Sequence, residues 1–105
     1  MSNIVQSTSN SNIPAIITDG SGASGLAANT ARIGWMIQNV GTGVIYVRFG
    51  GTASSSVYHA ALKGGTGNDD GLGASISQMS GGAVFSGAIS VAGTTPRFVV
   101  TEIAP

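Results

Sequence analysis

The sequence predicts an all-β domain, a small antiparallel β-sandwich, jelly-roll-like fold or barrel, carrying a flexible N-terminal arm. Three observations predict it. From Arg32 onward, apolar and polar residues alternate in several short segments, the period-two signature of half-buried strands. Glycine-rich breaks separate those segments, with 17 glycines in 105 residues. No stretch keeps a helical apolar period over about 10 residues. Many short strands divided by turns belong to sandwiches and small barrels.

Residues 1–12 are polar, rich in Ser and Asn, and lack the apolar groups whose burial would offset the entropy of ordering. They read as the arm, with residues 13–105 as a single β domain. They have neither the basic start nor the apolar run of a signal peptide. Residues 13–18 are the first apolar segment, with Pro14 where the edge or first position of a strand tolerates proline. Residues 19–25 read as a Gly/Ser loop. Residues 26–31 have fair helical composition but too little length. Ile33, Trp35 and Ile37 then alternate with Gly34, Met36 and Gln38. The segment NVGTG at 39–43 supplies residues that tolerate positive φ. Over 44–49, Ile45, Val47 and Phe49 oppose Val44, Tyr46 and Arg48. Two such strands joined by a short glycine-containing loop predict a hairpin.

Residues 50–56 read as a loop and 57–63 as a third strand, with Tyr58, Ala60 and Leu62 opposite Val57, His59, Ala61 and Lys63. GGTGNDDGLG at 64–73 holds five glycines in ten residues and must be a loop. Residues 74–78 form a short strand, and Gly81-Gly82 breaks the chain. Residues 83–92 are strand-like with Phe85, Ile89 and Val91 inward, and GTTP at 93–96 turns. The last strand, 97–103, sets Val99, Thr101 and Ile103 against Phe98, Val100 and Glu102. Apolar residues on both faces of so small a domain point to burial between subunits.

Composition narrows the function. Only 8% of the residues are charged, against about 25% in an ordinary domain. Gly, Ala, Ser and Thr make up half the chain, and four bases balance four acids. Such a surface has little self-repulsion and tolerates close packing against other protein, copies of itself included. Arg32, Arg48, Lys63 and Arg97 are scattered, whereas phosphate recognition needs a clustered basic face, so no nucleic-acid partner is expected. No apolar run approaches the ~20 residues of a membrane helix, so no membrane partner is expected either. There is no cysteine, hence no disulfide framework and no thiolate metal site.

The motifs that carry chemistry are weak. Gly20-Ser21-Gly22-Ala23-Ser24-Gly25 matches G-x-G-x-x-G, but no helix follows to meet a pyrophosphate and no acidic residue lies about 20 positions on. Residues 64–72 partly resemble one calcium-binding β-roll nonapeptide. That motif works by stacking copies, and a single copy leaves Asp69 and Asp70 as turn residues whose carboxylates bond nearby backbone N–H groups. His59 is the one histidine, near Ser54, Ser55 and Ser56, yet no nucleophile signature surrounds it, and it reads as a surface or interface residue. Of the six aromatics, Trp35, Phe49 and Phe85 fall inward, and Tyr46 is the best exposed candidate. No enzyme activity, cofactor or metal is expected. The candidate subunit or partner-protein contacts are Val44, Tyr46, Val99 and Val100.

The stretches ARIGWMIQNVGTGVIYVRFGGTASSS, YHAALKGGTGNDDG and GAISVAGTTPRFVVTE give an ordered set. A strand ends in IQN, then come a GTG turn, a Y-V-R-F-G strand, an A-S-S-S turn, a D-D-G loop and an I-S-V-A-G hairpin. This order resembles tailed-phage virion structural proteins, namely capsid decoration (cement) proteins, head fibres and tail-associated β domains. The resemblance implies a β fold, a non-enzymatic role and a homotrimer. The implied partners are the major capsid protein or other virion proteins. The implied location is the capsid exterior, after synthesis in the host cytoplasm. It implies a decoration protein that binds assembled capsid and stabilises it, or, as the alternative, a head- or tail-fibre domain that binds a host-surface receptor. It carries no site residues with it.

Overall fold

The computed structural model describes residues 16–78 and 84–104. The expected arm lies outside them. Among the described residues there is no helix, and seven strands build two antiparallel sheets. The strands are β1 (Ser21–Leu26), β2 (Gly34–Asn39), β3 (Ile45–Phe49), β4 (Ala60–Leu62), β5 (Ser75–Gln78), β6 (Ile89–Ala92) and β7 (Phe98–Ile103). One sheet has the order β1-β6-β3-β4 and the other β5-β2-β7.

Both sheets feed one core. Trp35 and Ile37 of β2 and Phe98 of β7 meet Ile45 and Val47 of β3, Leu62 of β4, and Ile89 and Val91 of β6, all buried. The alternation read from the sequence places these rows. On β3 the inward residues pair across the ladder, Ile45 with Leu62, Val47 with Ala60 and Val91, and Phe49 with Ile89. On β2, Ile37 lies between Ile76 and Val100. Each such aliphatic side chain contributes about 1.5–3 kcal/mol on burial. One end of the core is aromatic. Phe49 stands edge-on to Trp35 at 5.6 Å and stacks on Phe85 at 5.5 Å and on His59 at 5.0 Å.

The hairpin expected from 33–49 does not form. β2 and β3 lie in different sheets, and the apolar rows of the two strands face each other across the core. The backbone groups of the connecting corner bond elsewhere. Val40 N–H goes to Arg97 O, Gly65 N–H to Gly41 O, and Asp69 N–H to Val40 O. Buried Asn39 fastens the corner from inside: its amide donates to Gly43 O (2.7 Å) and Leu62 O (2.9 Å), and its Oδ1 accepts Gly41 N–H (3.0 Å). The I-S-V-A-G hairpin fails in the same way, since β6 and β7 also belong to different sheets. Five of the six connections between successive strands cross between sheets, and only β3 to β4 stays within one.

Four other elements differ from expectation. The Gly/Ser segment expected as a loop contains β1, paired to β6 with a register shift between Ser21 and Ser24. Glycine is needed there because Gly25 (φ 142°) presses its Cα face onto the Ile89 carbonyl. The segment of fair helical composition after β1 is irregular. Asn29 caps it as a turn, its Oδ1 accepting Ala31 N–H and its carbonyl accepting Arg32 N–H. The strand expected over 57–63 shrinks to Ala60–Leu62. Its first half instead makes a turn in which Ser54 N–H bonds Val57 O, and His59 Nδ1 replaces a backbone carbonyl as the acceptor for Phe49 N–H. The strand expected over 83–92 shrinks to Ile89–Ala92, although Phe85 still packs against the core.

Arg32 fastens the chain beside the aromatic end of the core. Its side chain is fully buried and pairs with Glu102 on β7 at 2.8 Å. Its remaining donors reach Phe85 O (2.7 Å), Gly87 O (3.0 Å) and Ala27 O (2.5 Å). One guanidinium thus ties the β1–β2 and β5–β6 connections to the last strand.

Candidate functional site

The fold separates the side chains that hold it together from two outer faces on opposite sides of the molecule. On the first outer face, that of β1-β6-β3-β4, Tyr46 lies between Ala61 and Ala92. The 50–57 loop folds over part of this face and is fixed there by buried Ser90, whose hydroxyl accepts Ala53 N–H at 2.7 Å and donates to Gly51 O at 2.5 Å. Within the loop, Ser54 Oγ accepts the N–H groups of Ser56 and Val57. Tyr58, 45% exposed, packs its ring on Tyr46 at 4.9 Å, tilted by 45°.

Two hollows adjoin here, one on this face and one at the corner where the β2–β3 and β6–β7 connections meet the 64–73 loop. One of about 250 Å³ is lined by Tyr46, Ser54, Ser55 and Thr94, with Ser21 and Gly93. The other, about 390 Å³, is lined by Thr42, Asn68, Thr94, Thr95 and Arg97. Thr94 belongs to both. A larger groove of about 590 Å³ is lined by four glycines together with apolar Ile17, Leu26 and Ile89, and its Ser90 is already bonded within the fold.

The second outer face, that of β5-β2-β7, follows from the register. Ser75, Gln38 and Val99 form one cross-strand row, Ser77, Met36 and Thr101 the next, and Gly34 pairs Ile103. No residue of these rows is charged. Met36, Gln38, Val99, Thr101 and Ile103 are each half-buried.

The four expected contact residues do not share a surface. Tyr46 lies on the first outer face, Val44 is 41% exposed in the corner ahead of β3, Val99 lies on the second outer face, and Val100 faces inward and packs against the core. Tyr58 is a further exposed aromatic, which the alternation over 57–63 does not single out because it puts Tyr58 on the same side as Leu62. The turn that shortens β4 exposes it.

All four carboxylates of the chain accept hydrogen bonds within the fold. Asp19 accepts Ser21 N–H, and Glu102 accepts Arg32 and the Asn29 amide. Asp70 caps its own loop, as the sequence predicted, with its two oxygens accepting Thr66 N–H and hydroxyl, Gly67 N–H and Leu72 N–H. The Leu72 and Gly67 N–H groups, then the Thr66 hydroxyl, pull its carboxyl down to about 2. Asp69, at φ 60°, forms a two-pronged pair with Arg97, Nε to Oδ1 at 2.9 Å and Nη2 to Oδ2 at 2.6 Å. The guanidinium lowers the Asp69 carboxyl, and Asp69 raises Arg97 in return. His59 is engaged through Nδ1 with Phe49 N–H and is stacked on the Phe49 ring. No group of three or more His, Cys, Asp or Glu side chains that could hold a metal ion occurs among the described residues.

Comparison of the chain with family models, curated proteins and solved structures gives no match.

Proposed function

We propose that this protein is a non-enzymatic virion structural protein of a tailed phage, a decoration or cement protein that binds the assembled capsid as a homotrimer and stabilises it. The observation that carries the reading is the charge-free outer face of β5-β2-β7. The solvent side of an antiparallel sheet ordinarily carries polar and charged residues. Here it carries Met36, Val99, Thr101 and Ile103 among Ser and Gln, a face suited to burial against protein without desolvating a charge. The engagement of every carboxylate in the fold and the resemblance read from the sequence favour the same role. Weak contacts repeated by symmetry become tight through effective concentration. Binding the assembled form alone stabilises it by mass action.

The test is co-sedimentation with undecorated capsids of the encoding phage, with intact host cells as parallel bait. Stoichiometric binding that saturates with the lattice is expected, and Val99→Lys should weaken it by about tenfold or more without altering the circular dichroism spectrum. Binding to cells and not to capsids would replace this reading with the fibre alternative. Binding to neither would refute both.

A further inference from the structure

We propose that the hollow on the outer face of β1-β6-β3-β4 and the one at the corner beside it form a binding site for a neutral oligosaccharide. Tyr46 is its ring platform and Thr94 the point shared by two subsites. The inference rests on these hollows alone and stands whether or not the protein binds capsid.

The first argument is the lining. A sugar ring offers an apolar C–H face and a rim of hydroxyls, so its site needs an aromatic surface beside short donors and acceptors. The smaller hollow provides Tyr46 beside Ser54, Ser55 and Thr94, and the larger continues with Thr42 and Asn68. Tyrosine among Ser, Thr, Asn and Gly is a pairing that gives contact area and adaptable hydrogen bonding at low entropic cost.

The second argument is size. At about 250 and 390 Å³ the hollows lie around the lower end of the ~300–1,000 Å³ of small-molecule pockets, so each suits a ring or two. Their junction at Thr94 suits a ligand that continues from one to the other.

Preorganisation is the third. Tyr58 buttresses the Tyr46 ring, and buried Ser90 pins the loop carrying Ser54 and Ser55. Little side-chain freedom is then left to lose on binding.

Charge selects the ligand class. The one ionic group in the lining, Arg97, is neutralised by its two-pronged bond to Asp69. A phosphate or sialic carboxylate would have to compete with that pair, whereas a neutral glycan leaves it intact.

The experiment is an NMR titration of the full chain with neutral trisaccharides of glucose, galactose and N-acetylglucosamine, with sialyllactose as the acidic arm. A neutral sugar should shift the amide signals of Ser54, Ser55, Thr94 and Thr42, with a Kd on the order of 1 mM per subunit. Tyr46→Ala should weaken it by about tenfold or more, and Tyr46→Phe should stay within about twofold, since the ring face is kept. Thr94→Val, nearly isosteric, should weaken it severalfold with an unchanged spectrum elsewhere. This keeps the test decisive if Tyr46→Ala misfolds. Binding of sialyllactose alone, shifts confined to other surfaces, or no shift with any neutral sugar would each overturn the proposal.

Discussion

Removing the Arg32 guanidinium should be among the most damaging single changes outside the hydrophobic core. In Arg32→Met the stem still fills the site, but four interactions go: the ion pair to Glu102 and the bonds to the Phe85, Gly87 and Ala27 carbonyls. A hydrogen bond to a charged group is worth about 1.5–3 kcal/mol net, and a buried acceptor left unsatisfied costs about 1–3 kcal/mol. Those figures do not add, because Glu102 is 29% exposed and can regain water. Breaking a buried pair from one side typically costs about 3–5 kcal/mol, which is the expected loss. A loss of that size is a large part of the ~5–15 kcal/mol that holds a domain folded, and should lower the melting temperature by at least about 12 °C. Glu102→Gln should cost less, about 1–2 kcal/mol, because the amide oxygen still accepts from Arg32 while the three carbonyls stay bonded. Urea denaturation followed by tryptophan fluorescence reports both, since Trp35 is buried in the core. A loss below about 1 kcal/mol for Arg32→Met, or a larger loss for Glu102→Gln than for Arg32→Met, would refute the reasoning.

Asp70 should give the fold an acid limb. Its carboxyl lies at about 2, below the ordinary 3.8, so its contribution is complete above pH 4 and is lost as pH falls toward 2. In Asp70→Asn that part of the acid-unfolding curve should flatten, as read by circular dichroism. Gly25→Ala should destabilise by on the order of 2 kcal/mol, since the added methyl meets the Ile89 carbonyl at a positive φ, whereas Gly67→Ala, with open space around it, should stay within about 0.5 kcal/mol. Chemical denaturation of the pair separates backbone strain from simple loss of glycine. Asn39→Ala should cost about 2–3 kcal/mol, because it leaves the Gly43 and Leu62 carbonyls short of a donor at a buried corner. A cost under about 0.5 kcal/mol would show that the corner does not depend on that amide.

Period-two alternation made the strands and their inward faces legible. Trp35, Ile37, Ile45, Val47, Ile89 and Val91 are buried as the pattern requires. Pairing was not legible, because alternation states which side of a strand is apolar and says nothing about which strand lies beside it. β2 and β3 could satisfy the same pattern side by side or face to face. Long-range bonds from Val40, Gly41 and Asn39 to Arg97, Gly65 and Leu62 decide for face to face. Strand ends were overextended wherever a side chain replaced a backbone partner, as His59 does at Phe49. The segment at 20–25 hid a strand because glycine there reports close backbone approach, and sequence alone does not distinguish that from a loop. Of the site, Tyr46 was legible as an outward residue, whereas Val99 could not be told from inward Val100 because the last strand is apolar on both faces. The hollows were not, because Ser54, Thr94 and Thr42 come from three separate connections, β3 to β4, β6 to β7 and β2 to β3, that are distant in sequence.

The crossing of the chain between sheets has a consequence for how the two proposed surfaces can be separated. β3 and β7 point their outward residues to opposite sides of a shared core, so Tyr46 and Val99 have no common neighbour through which one could disturb the other by direct contact. Substitutions at such independent sites should act additively. The double variant Tyr46→Ala, Val99→Lys should therefore lose sugar binding by the factor seen for the first change and capsid binding by the factor seen for the second. If Tyr46→Ala alone weakened capsid binding as much as Val99→Lys does, the aromatic face would itself be a capsid contact. The hollows beside it would then be covered in the virion, and one surface would be doing the work assigned to two.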